Sequence, residues 1–324
     1  MPRVSLWTRV ASLAALAACS RLGAPLGFRV GLITPGSVAD AAWNAGAYAG
    51  LNLIRDSLGA SVSQVEARTP GQQEEALRSY AAQGYDLVFG HGFEFQGAAE
   101  RVSADHPQTT FIITSGERVA RSVAPLVFRI EEGTYLAGIV AGGMSKSGRI
   151  GFVGGIELPP IKRGYEGWVR GAQSVNPRVE THVSYLNSFD DAAAGREAAL
   201  AMIRLGVDML HHNADAAGLG VFQAAKESPG VFVFGANADQ SPLAPGRVLG
   251  SAIIDLSHAF LTVARELKEW RFTVQVQSFG LAGGVIRYYP NPALDSLVPA
   301  ALKARLAAAQ DSIVAGTLVP VPRS

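Results

Sequence analysis

Two histidines, an asparagine and an aspartate follow an apolar run in the segment GVDMLHHNADAAGLG (206–220). Side chains of these types could bind a metal ion, take part in catalysis or line a ligand pocket. A zinc site is disfavoured because adjacent histidines on an extended segment point to opposite faces, and no second histidine pair or cysteine ligand supports them. We therefore predict no metal and no cofactor, and we look to the fold to place the segment.

Motifs for other chemistry are missing from the sequence. It contains no G-x-S-x-G nucleophile elbow, no P-loop and no G-x-G-x-x-G after the first predicted strand. The paired carboxylates Asp190 and Asp191 precede a helical pattern, and one of them is predicted to cap it. The net charge of +1 gives no electrostatic basis for binding nucleic acid. We predict that the protein is not an enzyme.

The amino-terminal segment has the pattern of a secretory signal. Arg3 and Arg9 are followed by an apolar run (10–18) that is too short to span a bilayer, and then by Cys19. The sequence LAAC (16–19) resembles a bacterial lipobox, which implies that Cys19 is lipidated and that cleavage of the lipoprotein signal (1–19) leaves a mature chain starting at Cys19. Because Cys19 is the only cysteine, the fold cannot depend on an internal disulfide.

Beyond the signal, apolar β-rich runs alternate with helical patterns, and the alternation occurs twice. The runs FRVGLI (28–33), YDLVFG (85–90) and TTFIITSG (109–116) are matched about 120 residues later by SGRIGFVGG (147–155) and its successors. Continuous apolar strands separated by helices predict parallel sheets covered on both faces. The sequence therefore predicts an α/β fold with two Rossmann-like lobes, joined by hinge crossovers.

The predicted crossovers set the lobe boundaries. We assign residues 27–126 and 254–324 to an amino-terminal lobe and residues 127–253 to a carboxy-terminal lobe. In open parallel sheets, ligands bind beyond the carboxyl ends of the strands. The segments HGFEF (91–95) and HHNAD (211–215) both follow such ends, so they are predicted to meet in the cleft between the lobes.

Several motifs occur in an order that resembles the basic membrane protein (BMP) family. They are VGLITPGSVADAAWNAGAYAGL, LVFRIEEGTYLAGIVAG, RIGFVGG, GANADQ and IVAGTLVPVP, and they extend over nearly the whole chain after the signal. The resemblance implies a type I periplasmic binding protein fold and a lipid-anchored protein on the periplasmic or extracellular face. It also implies a purine nucleoside or related ligand, delivered to an ABC permease and its ATPase.

The family motif D-x-x-[FW]-N falls on Asp40, Trp43 and Asn44. In the family, the aromatic residue stacks on the purine and the asparagine hydrogen-bonds to it, and an indole and an amide are suited to those tasks. A second, G-[FH]-x-F-like segment falls on Gly92 and Phe93, whose backbone amides and ring could contact the ligand. Either aromatic residue could instead belong to the core.

The chain departs from the nucleoside binders of the family at several positions. Gly164 replaces the aromatic residue that forms the second face of the base sandwich, so Tyr165 or Trp168 is expected to take that role. Asn237 and Ile254 replace an aspartate and a lysine that hold the ribose. Loss of such a charged, hydrogen-bonded pair from a buried ribose site should cost roughly a few kcal/mol of binding free energy.

The segment HHNAD also departs from these relatives. His212, Asn213 and Asp215 are closer to the H-T-D-like triplet of a second branch, which binds free purine bases. We therefore predict a purine nucleoside ligand, with a free base or a non-transporting ligand sensor as alternatives. Closure is expected to bring Tyr165, Asn213, Asp215 and the turn from Asn237 to Asp239 over the ligand. If His91 and His212 face the cleft, binding should weaken as they become charged near pH 6 to 6.5.

Overall fold

The computed structural model describes residues 27–40 and 42–322, so the predicted signal peptide and Cys19 lie outside the described residues. In chain order the elements are β1 (Arg29–Thr34), α1 (Trp43–Leu58), β2 (Ser61–Glu66), α2 (Pro70–Ala82), β3 (Leu87–Gly90), α3 (Gln96–Asp105), β4 (Thr110–Thr114), β5 (Val123–Phe128), α4 (Ile130–Met144), β6 (Arg149–Gly154), α5 (Pro159–Val175), β7 (Glu180–Tyr185), α6 (Ala192–Arg204), β8 (Met209–Asn213), α7 (Gly218–Glu227), β9 (Phe232–Asn237), β10 (Val248–Ile254), α8 (Leu256–Lys268), β11 (Gln277–Phe279), β12 (Ile286–Pro290) and α9 (Ala300–Val314).

These strands form two six-stranded sheets, one in each lobe. The first sheet has the order β11-β5-β4-β3-β1-β2 and is parallel throughout. The second has the order β12-β10-β9-β8-β6-β7, with only β12 antiparallel to its neighbour. The prediction of two lobes built on mostly parallel sheets is confirmed. The central strands are continuous apolar runs because helices cover both faces of each sheet.

The chain crosses between the lobes three times, and the third crossing corrects the predicted boundary. The first two crossings follow β5 and β10, near the predicted positions. After β11, however, the chain returns: β12 pairs with β10, and Leu302 and Ile313 of α9 belong to the core of the second lobe. Assignment of the whole 254–324 tail to the first lobe was therefore wrong. Residues 286–314 complete the second lobe.

Register aligns the strand ends that carry polar residues. Ile33 of β1 pairs with Gly90 of β3, and Gly154 of β6 pairs with Asn213 of β8. Because the strands are parallel, the segments after β1 and β3 leave the first sheet on the same side, at the carboxyl edge where its strands end. The segments after β6 and β8 leave the second sheet at the corresponding edge. The two edges face each other and form the interlobe cleft.

None of the described helices is both long enough and apolar enough to span a bilayer.

Candidate functional site

A pocket of about 610 Å³, counted with the solvent at its mouth, lies between the two lobes. Both lobes and the crossovers contribute to a mostly apolar lining, and no lysine or arginine is among the lining residues. They are Pro35, Trp43, Gly92, Phe93, Glu94, Ser115, Phe128, Ile130, Leu158, Pro160, Ile161, Phe189, Asn213, Asp215, Asn237 and Ile254.

Trp43 lies at the first position of α1 and lines the pocket, as predicted. One face of its indole stacks on the His91 imidazole, with ring centroids 4.1 Å apart and planes 22° apart. The edge of Phe128 contacts it at 6.1 Å between centroids. The indole is only partly buried, so these two rings fix its orientation while leaving part of it open to a ligand.

His91 supports Trp43 from behind and does not line the pocket. Its Nε2 lies 3.1 Å from the Trp43 carbonyl oxygen, and its Nδ1 lies 3.1 Å from the Thr114 hydroxyl. Since a carbonyl only accepts, Nε2 carries the proton and Nδ1 accepts from Thr114. The side chain is fully buried, and burial lowers the pKa of His91 to about 3. The prediction that His91 lines the ligand site was therefore wrong.

Asp40 and Asn44 serve the amino end of α1. The Asp40 carboxylate accepts hydrogen bonds from the backbone amides of Ala42, Asn44 and Ala45 (2.7–3.1 Å) and from the Asn44 side-chain amide (2.9 Å). Both residues line the outer mouth of the cleft, not the enclosed pocket. The buried Oδ1 of Asn44 has no partner among the described residues, so it remains available as an acceptor.

The first lobe also contributes the turn after β3. Gly92 and Phe93 line the pocket, as predicted. Glu94 lines it as well, although the sequence analysis did not single it out. Burial raises the pKa of Glu94. A side chain at Gly92 would be strained because its φ is 152°, and it would also require the Glu94 carboxyl group to move.

The second lobe contributes the aromatic residue Phe189 to the pocket, a residue that was not predicted from the sequence. Phe189 follows β7 and lines the pocket together with Leu158, Pro160 and Ile161 at the start of α5. Its ring packs against Gly155, where a Cβ would lie 2.2 Å from the Phe189 Cδ1 atom. Gly155, the last glycine of the RIGFVGG motif, therefore leaves the space that the Phe189 ring occupies.

Gly164 does not line the pocket, and neither do Tyr165 and Trp168, the two residues expected to supply the missing second aromatic. Tyr165 points toward β7, where its hydroxyl lies 3.3 Å from that of Thr181, and Trp168 is fully buried in the core of the second lobe. Gly164 faces α4, with Ile130 and Thr134 as its nearest neighbours. The expectation that Tyr165 or Trp168 contacts the ligand was wrong because both lie on faces of α5 turned away from the cleft.

His211 and His212 point to opposite faces of β8, as the argument against a zinc site required. His211 packs beside Trp168, and its Nδ1 donates to the Phe234 carbonyl at 3.1 Å. His212 packs beside Phe222 and donates through Nε2 to Gln240 Oε1 at 2.9 Å. Burial lowers the pKa of His211 to about 3 and that of His212 to about 4. His212 therefore lies in the core and not at the cleft, contrary to expectation.

Among the described residues, no group of three or more histidine, cysteine, aspartate or glutamate side chains is placed to hold a metal ion.

Three predicted polar residues of the second lobe do meet in the pocket. The Asn237 amide nitrogen lies 3.5 Å from Asn213 Oδ1 and 3.4 Å from Asp215 Oδ1. Asp215 and Asn237 have positive φ values of 45° and 67°, a conformation that asparagine and aspartate tolerate better than other side chains do. Burial, followed by the nearby carboxylates of Asp40 and Glu94, raises the pKa of Asp215 to about 8.

Asp239 lies outside this group. Its exposed carboxylate accepts a hydrogen bond from the Ser241 amide at 2.9 Å, and the residue does not line the pocket. The turn from Asn237 to Asp239 thus contributes only its first residue. Gln240, by contrast, is buried behind the site, where its Oε1 also accepts from the Ala236 amide at 2.8 Å.

An arginine at the mouth of the cleft links the two lobes through an ion pair. Arg68, which follows β2, places Nη1 3.3 Å from Asp190 Oδ2 in the second lobe, and its Nε lies 2.5 Å from Glu66 Oε1. Asp191, next to this contact, accepts from the Ala194 amide at 2.9 Å and caps α6, as predicted for one of the pair.

Comparison with known proteins decides the family. The model of the Bmp family, described as ABC transporter substrate-binding protein PnrA-like, matches residues 28–317. The chain belongs to the Bmp family. It is therefore a substrate-binding protein of the ABC transporter type, a class that is not enzymatic.

Individual Bmp relatives extend over most of the chain. Basic membrane protein A2 of Borrelia garinii subsp. bavariensis is 30% identical over 271 residues, covering 82% of this chain and 80% of the relative. The ABC transporter nucleoside-binding protein BmpA of Lactococcus lactis subsp. cremoris is 30% identical over 259 residues, covering 72% and 73%. An ABC transporter solute-binding protein of Aeropyrum pernix K1 superposes with a TM-score of 0.83 at 22% identity, covering 91% of this chain and 94% of that structure, which shows the shared fold.

Proposed function

We propose that this Bmp-family protein binds a purine nucleoside between its lobes and delivers it to an ABC permease from the outer face of the membrane, where lipidated Cys19 anchors it. The observation that carries this proposal is the placement of Trp43 and Phe189 in one pocket, from opposite lobes. A planar base placed against these rings gains apolar burial and stacking. The nucleoside-binding relative supports the same ligand class.

The polar group of the pocket would read the edge of the base. Asn213, Asp215 and Asn237 lie together on the second lobe and combine amide donors, amide acceptors and a carboxyl group. Glu94 adds a second carboxyl group from the first lobe. No lysine or arginine is among the described residues that line the enclosed pocket, and Arg68 lines only its outer mouth. A phosphorylated nucleoside therefore lacks a counter-charge in the enclosed part, and an uncharged ligand is favoured.

A free purine base is the second candidate. Ile254, at the position where the resemblance implies a lysine that holds ribose, lines the pocket with an apolar side chain. Asn237, at the position of the implied aspartate, is engaged with Asn213 and Asp215. Both features favour a ligand that lacks ribose hydroxyls, because buried hydroxyls without partners are costly.

Calorimetry on a chain beginning at residue 20, unfolded and refolded to remove carried-over ligand, separates these candidates. Guanosine, inosine and adenosine are titrated in parallel with their free bases. Binding of nucleosides alone supports the first candidate, and binding of bases alone supports the second. If neither class binds, the purine assignment is lost, whereas the family membership is unaffected.

Trp43→Ala should weaken binding of whichever purine binds by about 10- to 100-fold, the equivalent of roughly 1–3 kcal/mol of base–aromatic stacking. Tyr165→Phe is the matched control: it removes only the hydroxyl near Thr181 and should leave affinity unchanged. Circular dichroism checks that both variants fold. A Trp43→Ala variant that binds as tightly as the unaltered protein would contradict stacking on this residue.

A further inference from the structure

The largest exposed aromatic side chain in the described chain is Trp270, which follows the end of α8. It is 95% exposed, and its neighbours Lys268, Glu269 and Arg271 are exposed as well. Its backbone is left-handed, with φ of 57°. Trp43 and Trp168, in contrast, are partly and fully buried.

A tryptophan is poorly suited to this position on two independent grounds. A left-handed residue after a helix is usually glycine, since a Cβ there costs roughly 1–2 kcal/mol. Full exposure also removes the favourable burial that a large indole normally supplies. Trp270 therefore contributes little to the stability of the isolated chain. A contact with something outside the chain would account for a tryptophan at this position.

The position of Trp270 indicates what that contact is. The Lys268 ammonium donates to the Leu58 carbonyl at the end of α1 (2.6 Å), and the Ser61 amide donates to the Phe28 carbonyl (2.9 Å). These bonds place the end of α8 and the start of β1 at the same pole of the first lobe. Phe28 and Phe272 also pack against the same core cluster. This pole lies at the opposite end of the first sheet from the cleft.

The length of the anchor limits how far this pole can move from a membrane. Eight residue steps separate Cys19 from Gly27, the first described residue. Even fully extended, they span at most about 29 Å. A lipid on Cys19 would therefore keep Gly27 within about 29 Å of the bilayer surface, which allows the Trp270 side chain at the same pole to reach it. Tryptophan is favoured at this surface because its ring is apolar and its N–H group is polar.

We propose that this pole of the first lobe rests on the bilayer and that Trp270 inserts at the lipid–water interface. The proposal depends on the anchor at Cys19 that is part of the proposed function. In this orientation the first lobe lies between the lipid and the cleft. Trp270 thus acts as a second, reversible contact beside the covalent lipid.

The test uses the chain from Cys19 to Ser324, which contains every described residue. Its single thiol, at Cys19, is coupled to a maleimide lipid in phosphatidylcholine vesicles whose upper acyl carbons are brominated. Bromine quenches only indoles that reach the bilayer. We expect loss of up to about one third of the tryptophan emission, because Trp270 is one of three tryptophans in this chain, relative to vesicles without bromine.

Trp270→Gly should abolish the quenching while leaving the melting temperature equal or higher, because glycine relieves the left-handed backbone. Leu205→Ala, which removes another exposed apolar side chain (57% exposed) at the end of α6 in the second lobe, is the control and should quench normally. No quenching of the unaltered chain, or equal quenching of Trp270→Gly, overturns the proposal. If the chain self-associates through Trp270 and shows no quenching, the proposal is also overturned, because the surface would then bind a second copy of the chain.

Because the lipid is coupled to Cys19 chemically, the test does not depend on whether Cys19 is lipidated in cells, which belongs to the proposed function. If Cys19 is not lipidated in cells, the native protein will lack the lipid mass and will not sediment with membranes. The coupled protein still reports whether Trp270 contacts lipid.

Discussion

At the scale of single residues, burial shifts the pKa values of histidines and of carboxyl groups in opposite directions: it lowers those of the histidines and raises that of Asp215. Burial lowers the pKa of His91, His211 and His212 to about 3, 3 and 4, so these imidazoles stay neutral throughout the pH range near neutrality. The weakening of ligand binding expected from His91 and His212 near pH 6 to 6.5 therefore has no basis. Acidification instead affects the fold, because unfolded histidines take up protons near pH 6.5 and folded ones do not.

Asp215 should give the opposite dependence of stability on pH. Its pKa is raised to about 8 in the folded protein from an ordinary value of 3.8, so the folded chain keeps a proton that the unfolded chain releases. The stabilisation is present below pH 4 and is lost as pH rises toward 8. Asp215→Asn should therefore gain at least about 1 kcal/mol of unfolding free energy over the unaltered protein between pH 5 and pH 9, since one pKa unit is worth about 1.4 kcal/mol.

Urea unfolding across this pH series measures the difference. Asp239→Asn is the control because Asp239 is exposed and only caps a turn. If the curves of Asp215→Asn and the unaltered protein stay parallel, Asp215 does not hold its proton in the folded state.

The residues of the pocket differ in how far sequence could predict them. Trp43, Gly92, Phe93, Asn213, Asp215 and Asn237 were found because they follow strand ends or match a motif. Phe189 could have been found by the same rule, since it follows β7, but the neighbouring aspartates drew the interpretation toward a helix cap. Tyr165 and Trp168 were misplaced because which face of α5 meets the cleft depends on its packing against α4.

At the scale of elements, α4 and α5 pack so closely that backbone meets backbone. A Cβ at Gly171 would lie 2.0 Å from the Tyr135 carbonyl oxygen, and a Cβ at Gly138 would lie 2.2 Å from that of Trp168. This contact, which joins the first crossover to the second lobe, depends on glycine on both helices. The Gly/Ala-rich sequence of α4 predicted close packing but could not specify the partner.

Gly171→Ala should lower the unfolding free energy by about 1–3 kcal/mol, because two rigid backbones must separate to admit the methyl group. Gly164→Ala, about two helical turns earlier on α5, should have the opposite effect on the unfolding free energy. Its Cβ would meet no atom closer than 3.8 Å, so the variant gains about 0.5–1 kcal/mol of helix propensity. Thermal and urea unfolding of the two variants measure this. Equal destabilisation by both would show that glycine is needed at α5 for another reason.

At the scale of the whole molecule, Arg68 and Asp190 join the lobes at the mouth, far from the crossovers. Arg68→Ala should weaken ligand binding by up to about fivefold, mainly through faster dissociation, because an exposed ion pair is worth about 0–1 kcal/mol. Asp190→Asn should have a similar effect, and the double variant should lose no more than either single one. Stopped-flow dissociation and calorimetry provide the rates and affinities.

Arg101→Ala is the control for this pair. Arg101 is equally exposed, but its partner Glu74 lies in the same lobe. An effect of Arg101→Ala equal to that of Arg68→Ala would attribute the change to lost positive charge and not to the link between lobes.

The two-lobed architecture could be predicted from the sequence because apolar strands and helical patterns repeat in the same order. The third crossing could not, since β11 and β12 are short strands at sheet edges and carry little pattern of their own. Their assignment to different sheets depends on the strands already present, β5 in one lobe and β10 in the other.

The three crossings also determine when each lobe can be finished during synthesis. Because a polypeptide emerges amino end first, β1 to β5 are available early, yet their edge strand β11 and the helix α8 that covers α1 come after β10. The second lobe can be completed only later, because β12 and α9 follow β11 in the sequence. A growing chain therefore cannot reach the native state of the first lobe before β11 has been made, nor that of the second lobe before α9 has been made.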